Sequence, residues 1–482
     1  MRRRSINQQF PLLTGDHQTD VLVIGGGITG LSTALELLSR GVKVTVCEAN
    51  TIGAGTTGGS SGHLDAHPEQ GPSRLIEQLG AEGAKSLTEA RLRAIDLIEK
   101  RCDESCSFGR VPAYFYTERR ENLDAICNSF QDAKKIGLDA NWMENVPISR
   151  AIVGYQINHM AKIDCLAYVK RLAALVAEYG GRIFEHTMVS GPVEAKPSSL
   201  QTSGGTVAFD QVVCAVHCNY TNSQRLYLQT PAYQSYVIAA KVRAALPDAL
   251  FWDDSDPYHY VRRATADGRT ILVGGQDHRT GNGDEPVALR ALESWTRERF
   301  DVEEIVSQWS AELFEPSDGL PFIGKVAGTE NVWIATGLSG IGLTLGTVSA
   351  SMIADLMEGK QHPLEDHLSP ARTPIGSVST VVAEQLPAAM NFAQRIWPAQ
   401  SVDVEQLSAG EGTVGKLHDK HTAVCRDQTG CVHKLSPICT HMGGVLRWNP
   451  VEQTWDCPVH GGRFAADGKR LYGPPETDLD EA

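Results

Sequence analysis

Short apolar runs cut off by glycine-rich turns alternate along this chain with longer stretches whose apolar positions recur at helical spacing. That alternation predicts the order of strands and helices. Residues 21–24 form a continuous apolar run, as expected of a strand buried on both faces. The run ends in Gly25-Gly-Gly-Ile-Thr-Gly30, after which residues 31–40 carry a helical pattern closed by Gly41. A second strand is predicted at 42–46, with Glu48 just past its end. Helices are predicted over 72–101, on the periodicity of Leu75, Ile76, Leu79, Leu87, Leu92, Ile95, Leu97 and Ile98, and over 164–179, ended by Gly180-Gly181. Further strands are predicted at 111–116, 182–189, 205–209, 211–216, 233–242, 259–263 and 270–274. A late strand at 331–337 runs into a helix reaching about residue 358. The first and last of these segments read as one nucleotide domain, with an antiparallel sheet inserted between them. The pattern then breaks: residues 363–403 are a connector with Ser369-Pro370, Thr373-Pro374 and a helix predicted at 378–396, before short strands at 412–417, 422–426 and 431–435.

The early turn has a chemical reading. In Gly25-x-Gly27-x-x-Gly30 the first glycine permits a tight turn, the second admits a pyrophosphate to the backbone, and the third lets helix and strand pack closely. Phosphates would sit at the positive N-terminus of the helix, and a carboxylate at Glu48 can take both ribose hydroxyls of an adenosine while repelling a 2′-phosphate. The loop Ile52-Gly-Ala-Gly-Thr-Thr-Gly-Gly-Ser-Ser-Gly-His63 offers hydroxyls and bare backbone to phosphates and a flat ring. A helix starting near Gly340-Ile341-Gly342-Leu343-Thr344 offers free N–H groups to a ring that becomes anionic when reduced.

Composition narrows the classes. At 482 residues and 41% apolar content the chain holds two or three domains with packed cores, and its net charge of −14 argues against a nucleic-acid surface. No apolar run approaches membrane-spanning length, and the basic start Met1-Arg-Arg-Arg-Ser5 lacks the apolar stretch of a signal peptide, so a cytoplasmic location is expected. Eleven cysteines then imply thiols rather than disulfides. Cys47, Cys102, Cys106, Cys127, Cys165, Cys214 and Cys218 read as packed thiols, although Cys102 and Cys106 could share a helix face. His63, Asp65 and His67 could hold a mononuclear metal but read better as polar lining.

Residues 19–362 resemble the D-amino-acid oxidase and glycine oxidase (DAO) superfamily of FAD-dependent oxidoreductases. The resemblance rests on the glycine turn, Glu48, Gly55-Thr56-Thr57-Gly58, Thr187-Met-Val189, Val212-Val-Cys-Ala215, Asp318-Gly-Leu-Pro-Phe-Ile-Gly324 and the segment from Gly337 to Thr344. It implies an α/β, glutathione-reductase-like Rossmann domain for FAD, with a sheet-floored substrate domain inserted in it and the isoalloxazine between the two. The implied FAD contacts are Gly25, Gly27, Ile28, Thr29, Gly30, Glu48, Ala49, Thr56, Thr57, Val189, Ala215, Gly337, Gly340, Ile341, Gly342, Leu343 and Thr344.

The C-terminal stretch carries a second signature. Cys439-x-His441 is followed, after fifteen intervening residues, by Cys457-x-x-His460, with Gly443, Gly461, Trp455-Asp456 and Phe464 around them. This order resembles the Rieske [2Fe-2S] domain and covers about residues 404–482, a small all-β unit. The two thiolates would hold one iron and the two imidazoles the other. Zinc accepts the same residue types, but its modules usually pair Cys with Cys and His with His. Where high-potential members carry a disulfide and a serine, this chain has Gly444, Val459 and Gly462, which points to the lower-potential, ferredoxin-like type.

A two-electron and a one-electron carrier on one polypeptide imply a relay. The expected enzyme oxidises a CH–NH bond of a small amine or amino-acid-like substrate, as a dehydrogenase or oxidase, by hydride transfer to flavin, with electrons leaving through the cluster. An external acceptor such as oxygen, a quinone or a redox protein would take them. The family's carboxylate-clamping arginine is missing from Leu313-Phe-Glu-Pro-Ser-Asp318, so either Arg262 or Arg263 replaces it or the substrate lacks an α-carboxylate. Tyr260, Arg262 and His278 are the candidate pocket residues. The alternatives are a nicotinamide-fed electron-transfer reductase, for which a second dinucleotide fingerprint is missing, and a flavin/Rieske oxygenase built on His63, Asp65 and His67.

Overall fold

The computed structural model describes residues 9–373, 391 and 400–482, apart from 192, 195 and 222. The basic start of the chain and the helix predicted at 378–396 lie outside the described residues, save Asn391.

The nucleotide domain is a six-stranded sheet in the order Phe322–Lys325, Val332–Thr336, Gln211–Cys214, Val21–Ile24, Val44–Cys47, Arg182–Phe184, parallel except at the first pair. Val21–Ile24 is buried at every position, which is why its sequence shows no alternation. Helix Ile28–Ser39 follows the glycine turn, and its partner in the layer is helix Gly342–Met357, drawn from the far end of the domain. The stretch Ser339–Met357 is long and apolar enough to cross a membrane by length and composition alone. It is a core helix here, 61% buried, and its apolar character comes from packing on the sheet side and on Ile28–Ser39.

Between these segments lies a nine-stranded sheet, in which Val302–Phe314, Ala232–Val242, Thr270–Arg279, His259–Arg263 and Leu250–Asp253 continue into Gly109–Thr117, Val153–Lys162 and His63–Leu64, with Ala140–Met143 also paired to Val153–Lys162. It is antiparallel except where Leu250–Asp253 runs parallel to Gly109–Thr117. The predicted helix at 72–101 is present as Pro72–Arg101, kinked at Gly80, where φ is 68°. That helix stops at Arg101, and Cys106 sits in the separate turn Glu104–Cys106, so Cys102 and Cys106 do not share a helix face.

The C-terminal unit consists of a three-stranded sheet, Gly412–Leu417, Lys420–Arg426 and Val432–Leu435, and a four-stranded one, Arg447–Asn449, Thr454–Asp456, Arg463–Ala465 and Arg470–Tyr472. It packs on the flavoprotein part through part-buried polar contacts. Glu452 accepts hydrogen bonds from Ser310 N (3.0 Å), Ser310 Oγ (2.6 Å) and Gln234 Nε2 (3.1 Å), and it also pairs with Arg463, which donates to Asp456 at 2.9 Å.

Candidate active site and cluster loops

One cavity of about 840 Å³ runs from the glycine turn to the floor of the nine-stranded sheet. Its nucleotide end is made of backbone and small side chains. A Cβ on Gly25, which sits at φ +109°, would meet Ala215 O at 2.4 Å, and one on Gly30 would meet Gly25 O at 2.0 Å. These two positions close the turn, whereas Gly27 opens onto the cavity. Glu48 is fixed beside the cavity by N–H donors from Gly26 (2.7 Å) and Asn50 (2.8 Å), while burial pushes its carboxyl up. Thr57 Oγ1 accepts from Ile28 N at 3.2 Å, tying the threonine loop to the helix start.

Most of the predicted contacts line this cavity: Gly25, Gly27, Ile28, Thr29, Glu48, Ala49, Thr56, Thr57, Val189, Ala215, Gly340, Ile341, Gly342 and Leu343. Gly30, Gly337 and Thr344 do not. Gly30 is spent on packing against Gly25, Gly337 lies against Pro316, and the Thr344 hydroxyl donates to Ile341 O at 3.2 Å. A further residue, Glu69, stands at the late helix entry, where Oε2 accepts from Gly340 N at 3.2 Å and Oε1 from Tyr258 OH at 3.2 Å.

The distal end is built of aromatic rings and acids. His67 stacks on Phe115 (centroids 4.9 Å apart) and faces Trp252, and His63 packs against Trp252 (5.6 Å) and Tyr260 (5.2 Å). Burial holds both histidines neutral, with pKa values lowered to about 3. Tyr260 lies flat across Gly274 of the neighbouring strand, where a Cβ would strike its ring at 2.0 Å, and so lines the cavity as the sequence predicts. Asp253, Asp254, Asp256, Asp65 and Glu69 add carboxylates to this wall. Behind Tyr258 and Ser235 is Asp277, which burial pushes up to about 7.

The other two predicted pocket residues lie elsewhere. Arg262 turns back to donate to Ser61 O and to Arg263 O (3.0 Å), bracing the glycine loop at 60–62, and Arg263 is taken by Asp248. Neither lines the cavity, so neither can clamp a carboxylate there. A bulge opposite Ser235, with Gln276 at φ 61°, breaks the strand's alternation, and His278 ends on Tyr236 (5.4 Å) outside the cavity. The would-be metal triad also separates: Asp65 pairs with buried Arg91 at 3.1 Å, and His67 Nε2 is bonded to Tyr155 OH at 2.8 Å. Among the described residues the one trio of His, Cys, Asp or Glu whose donor atoms all approach within 4.8 Å is Asp427, Cys431 and His433, on a surface hairpin.

The second centre consists of two matching loops. Cys439 N donates to Gly444 O and Cys457 N to Gly462 O, both at 2.8 Å, while Gly443 N and Gly461 N return to the cysteine carbonyls, both at 3.0 Å. Both thiols are buried, and the rings of His441 and His460 lie 5.2 Å apart. No three of these four ligand atoms come within 4.8 Å of one another, too open for one tetrahedral zinc and suited to a pair of irons. Tyr227 of the flavoprotein part covers both histidines, at 5.2 and 4.9 Å between centroids. Cysteine pairing at 444 and 459 is impossible, since glycine and valine stand there in contact.

Comparison with known proteins decides what this cavity and these loops are. Residues 20–356 match the family model "FAD dependent oxidoreductase" (DAO), and residues 399–481 match "Rieske [2Fe-2S] domain". The chain belongs to the DAO family of FAD-dependent oxidoreductases and carries a C-terminal Rieske domain. It is 30% identical to YhfW of Bacillus subtilis (strain 168), described as a Rieske 2Fe-2S iron–sulfur protein, over 98% of this chain and 96% of that one. It is also 24% identical to the gamma-glutamylputrescine oxidoreductase of Escherichia coli (strain K12), over 73% of this chain and 86% of that one. The crystal structure of glycine oxidase from Geobacillus kaustophilus shares the fold at TM-score 0.63 and 20% identity, covering 74% of this chain and 99% of that one. FAD and a Rieske [2Fe-2S] cluster are therefore the cofactors of this DAO-family chain.

Several features escaped the sequence reading. Glu69, Tyr258, Trp252, Phe115 and Asp277 come from segments scattered over some two hundred positions and carry no motif. Arg470 and Tyr472 of the Rieske domain also line the cavity, and nothing in their sequence neighbourhood points to it.

Proposed function

We propose that this DAO-family chain oxidises the CH–NH bond of a small cationic amine that carries no α-carboxylate, in the cytoplasm, and delivers the electrons through its own Rieske cluster to an external acceptor. The observation that carries the reading is the charge of the distal wall. Asp65, Asp253, Asp254, Asp256 and Glu69 line it; Asp65 is paired with buried Arg91 and Asp253 with His259, so the excess negative charge is carried by Asp254, Asp256 and Glu69, and no Lys or Arg among the described residues lines that end. An ammonium group gains from such carboxylates and from the faces of Trp252, Tyr258 and Tyr260, whereas a carboxylate would be repelled.

When bound, FAD accepts a hydride and the cluster accepts single electrons. The rest is done by the chain. Gly25, Gly27 and Thr57 would hold the dinucleotide, and Cys439, His441, Cys457 and His460 the cluster. Glu69 would orient the ammonium, and Tyr260 over Gly274 would limit the depth of entry. His63 and His67, held neutral by burial, add no competing positive charge. Glu312 lines the cavity and also abuts Gly461, the residue after His460, so the two centres share a wall. The absence of a disulfide and serine around the cluster loops supports a low reduction potential, which a redox titration would check.

Anaerobic mixing with a panel of diamines, N-methylated alkylamines, glycine and L-amino acids tests the reading. Flavin bleaching by the amines and not by the amino acids is expected; bleaching by the amino acids alone would refute it.

A further inference from the structure

The Rieske domain does more than receive electrons in this fold. The strand Arg470–Tyr472 and the turn after it lie along the nucleotide end of the cavity, where Arg470, Tyr472 and Gly473 form part of the lining. Among the described residues that line the whole cavity, Arg470 is the one Lys or Arg. Its guanidinium is fixed from behind: Nε donates to Pro475 O and Nη2 to Gly473 O at 3.1 Å. Its charge acts on Glu48 and Tyr220 at the nucleotide end.

The same turn is stitched to the residues around the expected adenosine contacts. Asn50 Nδ2 donates to Leu471 O at 3.1 Å, two positions after Glu48. Glu476 accepts from Gly191 N at 2.9 Å and from Tyr220 OH at 3.2 Å, and Tyr220 OH also reaches Val189 O at 2.6 Å. On its other side the turn rests on the cluster loop: Gly473, at φ +96°, would place a Cβ 2.9 Å from both Gly461 O and Gly462 Cα. One short segment therefore touches the wall of the flavin cavity and the loop that carries His460.

We propose that residues 470–476 form a wall of the FAD site, in which Arg470 supplies positive charge to the nucleotide half of the dinucleotide. The physical need is plain. The glycine turn offers N–H dipoles but no cation, Glu48 brings a negative charge to the same end, and the pyrophosphate of FAD is anionic. An FAD domain that stands alone must meet that need by itself; here the appended domain meets it, which makes flavin retention depend on the Rieske fold. This inference rests on FAD as the cofactor and is independent of the substrate.

The test is FAD binding to the full-length chain, by titrating flavin-free protein and following flavin fluorescence, with iron content and the reduced-cluster EPR signal measured on every sample. Arg470→Gln removes the charge while keeping one amide donor and is expected to raise the Kd for FAD about tenfold or more. Arg470→Lys keeps the charge without the guanidinium fork and should lose less affinity than Arg470→Gln. Lys469→Gln, one residue before that strand and paired with Asp467 at 3.0 Å, should bind FAD as the parent does. Iron and EPR signal are expected to be unchanged in all three. Parent-like FAD affinity in Arg470→Gln would overturn the proposal. So would an equal loss in Lys469→Gln, or a loss in Arg470→Gln that tracks loss of iron, because either would trace the effect to folding of the hairpin.

Discussion

The two ends of the cavity are built on different principles. At the nucleotide end the ligand faces mostly backbone and small side chains, with Glu48 and Arg470 as the charged exceptions: a Cβ at Gly30 would stand 2.0 Å from a carbonyl oxygen. Position there is set by a turn and a helix start, so function follows from local geometry. At the distal end the walls are side chains from strands far apart in sequence, stacked rings over buried acids, with Asp277 lifted to about 7 by burial. The contrast teaches that a cofactor shared by a family can be held by a motif, while a substrate specific to one member is held by burial and charge.

That difference can be broken or sharpened by substitution. The largest effect is expected from Gly30→Val, which forces the helix off its strand; purified protein should carry no flavin absorbance and should melt well below the parent, whereas a distal substitution should leave the flavin in place. Next, Glu69→Gln should lower kcat/KM for a responding amine by roughly a hundredfold, chiefly through KM, with FAD content unchanged. Steady-state kinetics on flavin-normalised enzyme decide it.

A smaller effect lies in pH. Burial pushes Asp277, behind the Tyr258 wall, up to about 7, and the charge it gains above that point acts on the cavity only at a distance, so the KM for a cationic amine should fall modestly as pH rises through 7, a dependence lost in Asp277→Asn. The sign for stability is opposite. A carboxyl whose folded pKa exceeds its unfolded value loses stabilisation as pH rises from the usual carboxylate range through about 7. Asp277→Asn should therefore gain on the order of 2 kcal/mol at pH 8, read from chemical denaturation. The smallest effect is expected at His278, which lies outside the cavity: His278→Gln should leave kcat/KM within about twofold of the parent.

Legibility in the sequence follows the same division. The strand Val21–Ile24, the glycine turn, Glu48 and the two cluster loops were readable because each is a contiguous segment whose spacing the chemistry dictates. Helix Leu123–Lys135 and strands Val153–Lys162 and Val302–Phe314 were not assigned beforehand. The last of these pairs with Ala232–Val242 through register shifts at Ala239/Ala240 and Lys241/Val242, which disrupt the alternation a strand would show. His278 was misplaced for a related reason, because the bulge at Gln276 turns the rest of its strand over. Arg262 has the right charge on the right strand, but its side chain is claimed by the Ser61 carbonyl, and no spacing rule reveals that. Arg470 lies far from the glycine turn in sequence and reaches the cavity only because a second domain docks there.

The central claim is that one chain takes electrons from a cationic amine and passes them internally to its own cluster. Anaerobic addition of a responding diamine to the full-length protein, without mediator or external acceptor, tests it most directly when flavin absorbance and low-temperature EPR are followed together. The account predicts loss of flavin absorbance accompanied by the signal of a reduced Rieske cluster in the same samples. Flavin bleaching with the cluster still EPR-silent until a chemical reductant is added would contradict it.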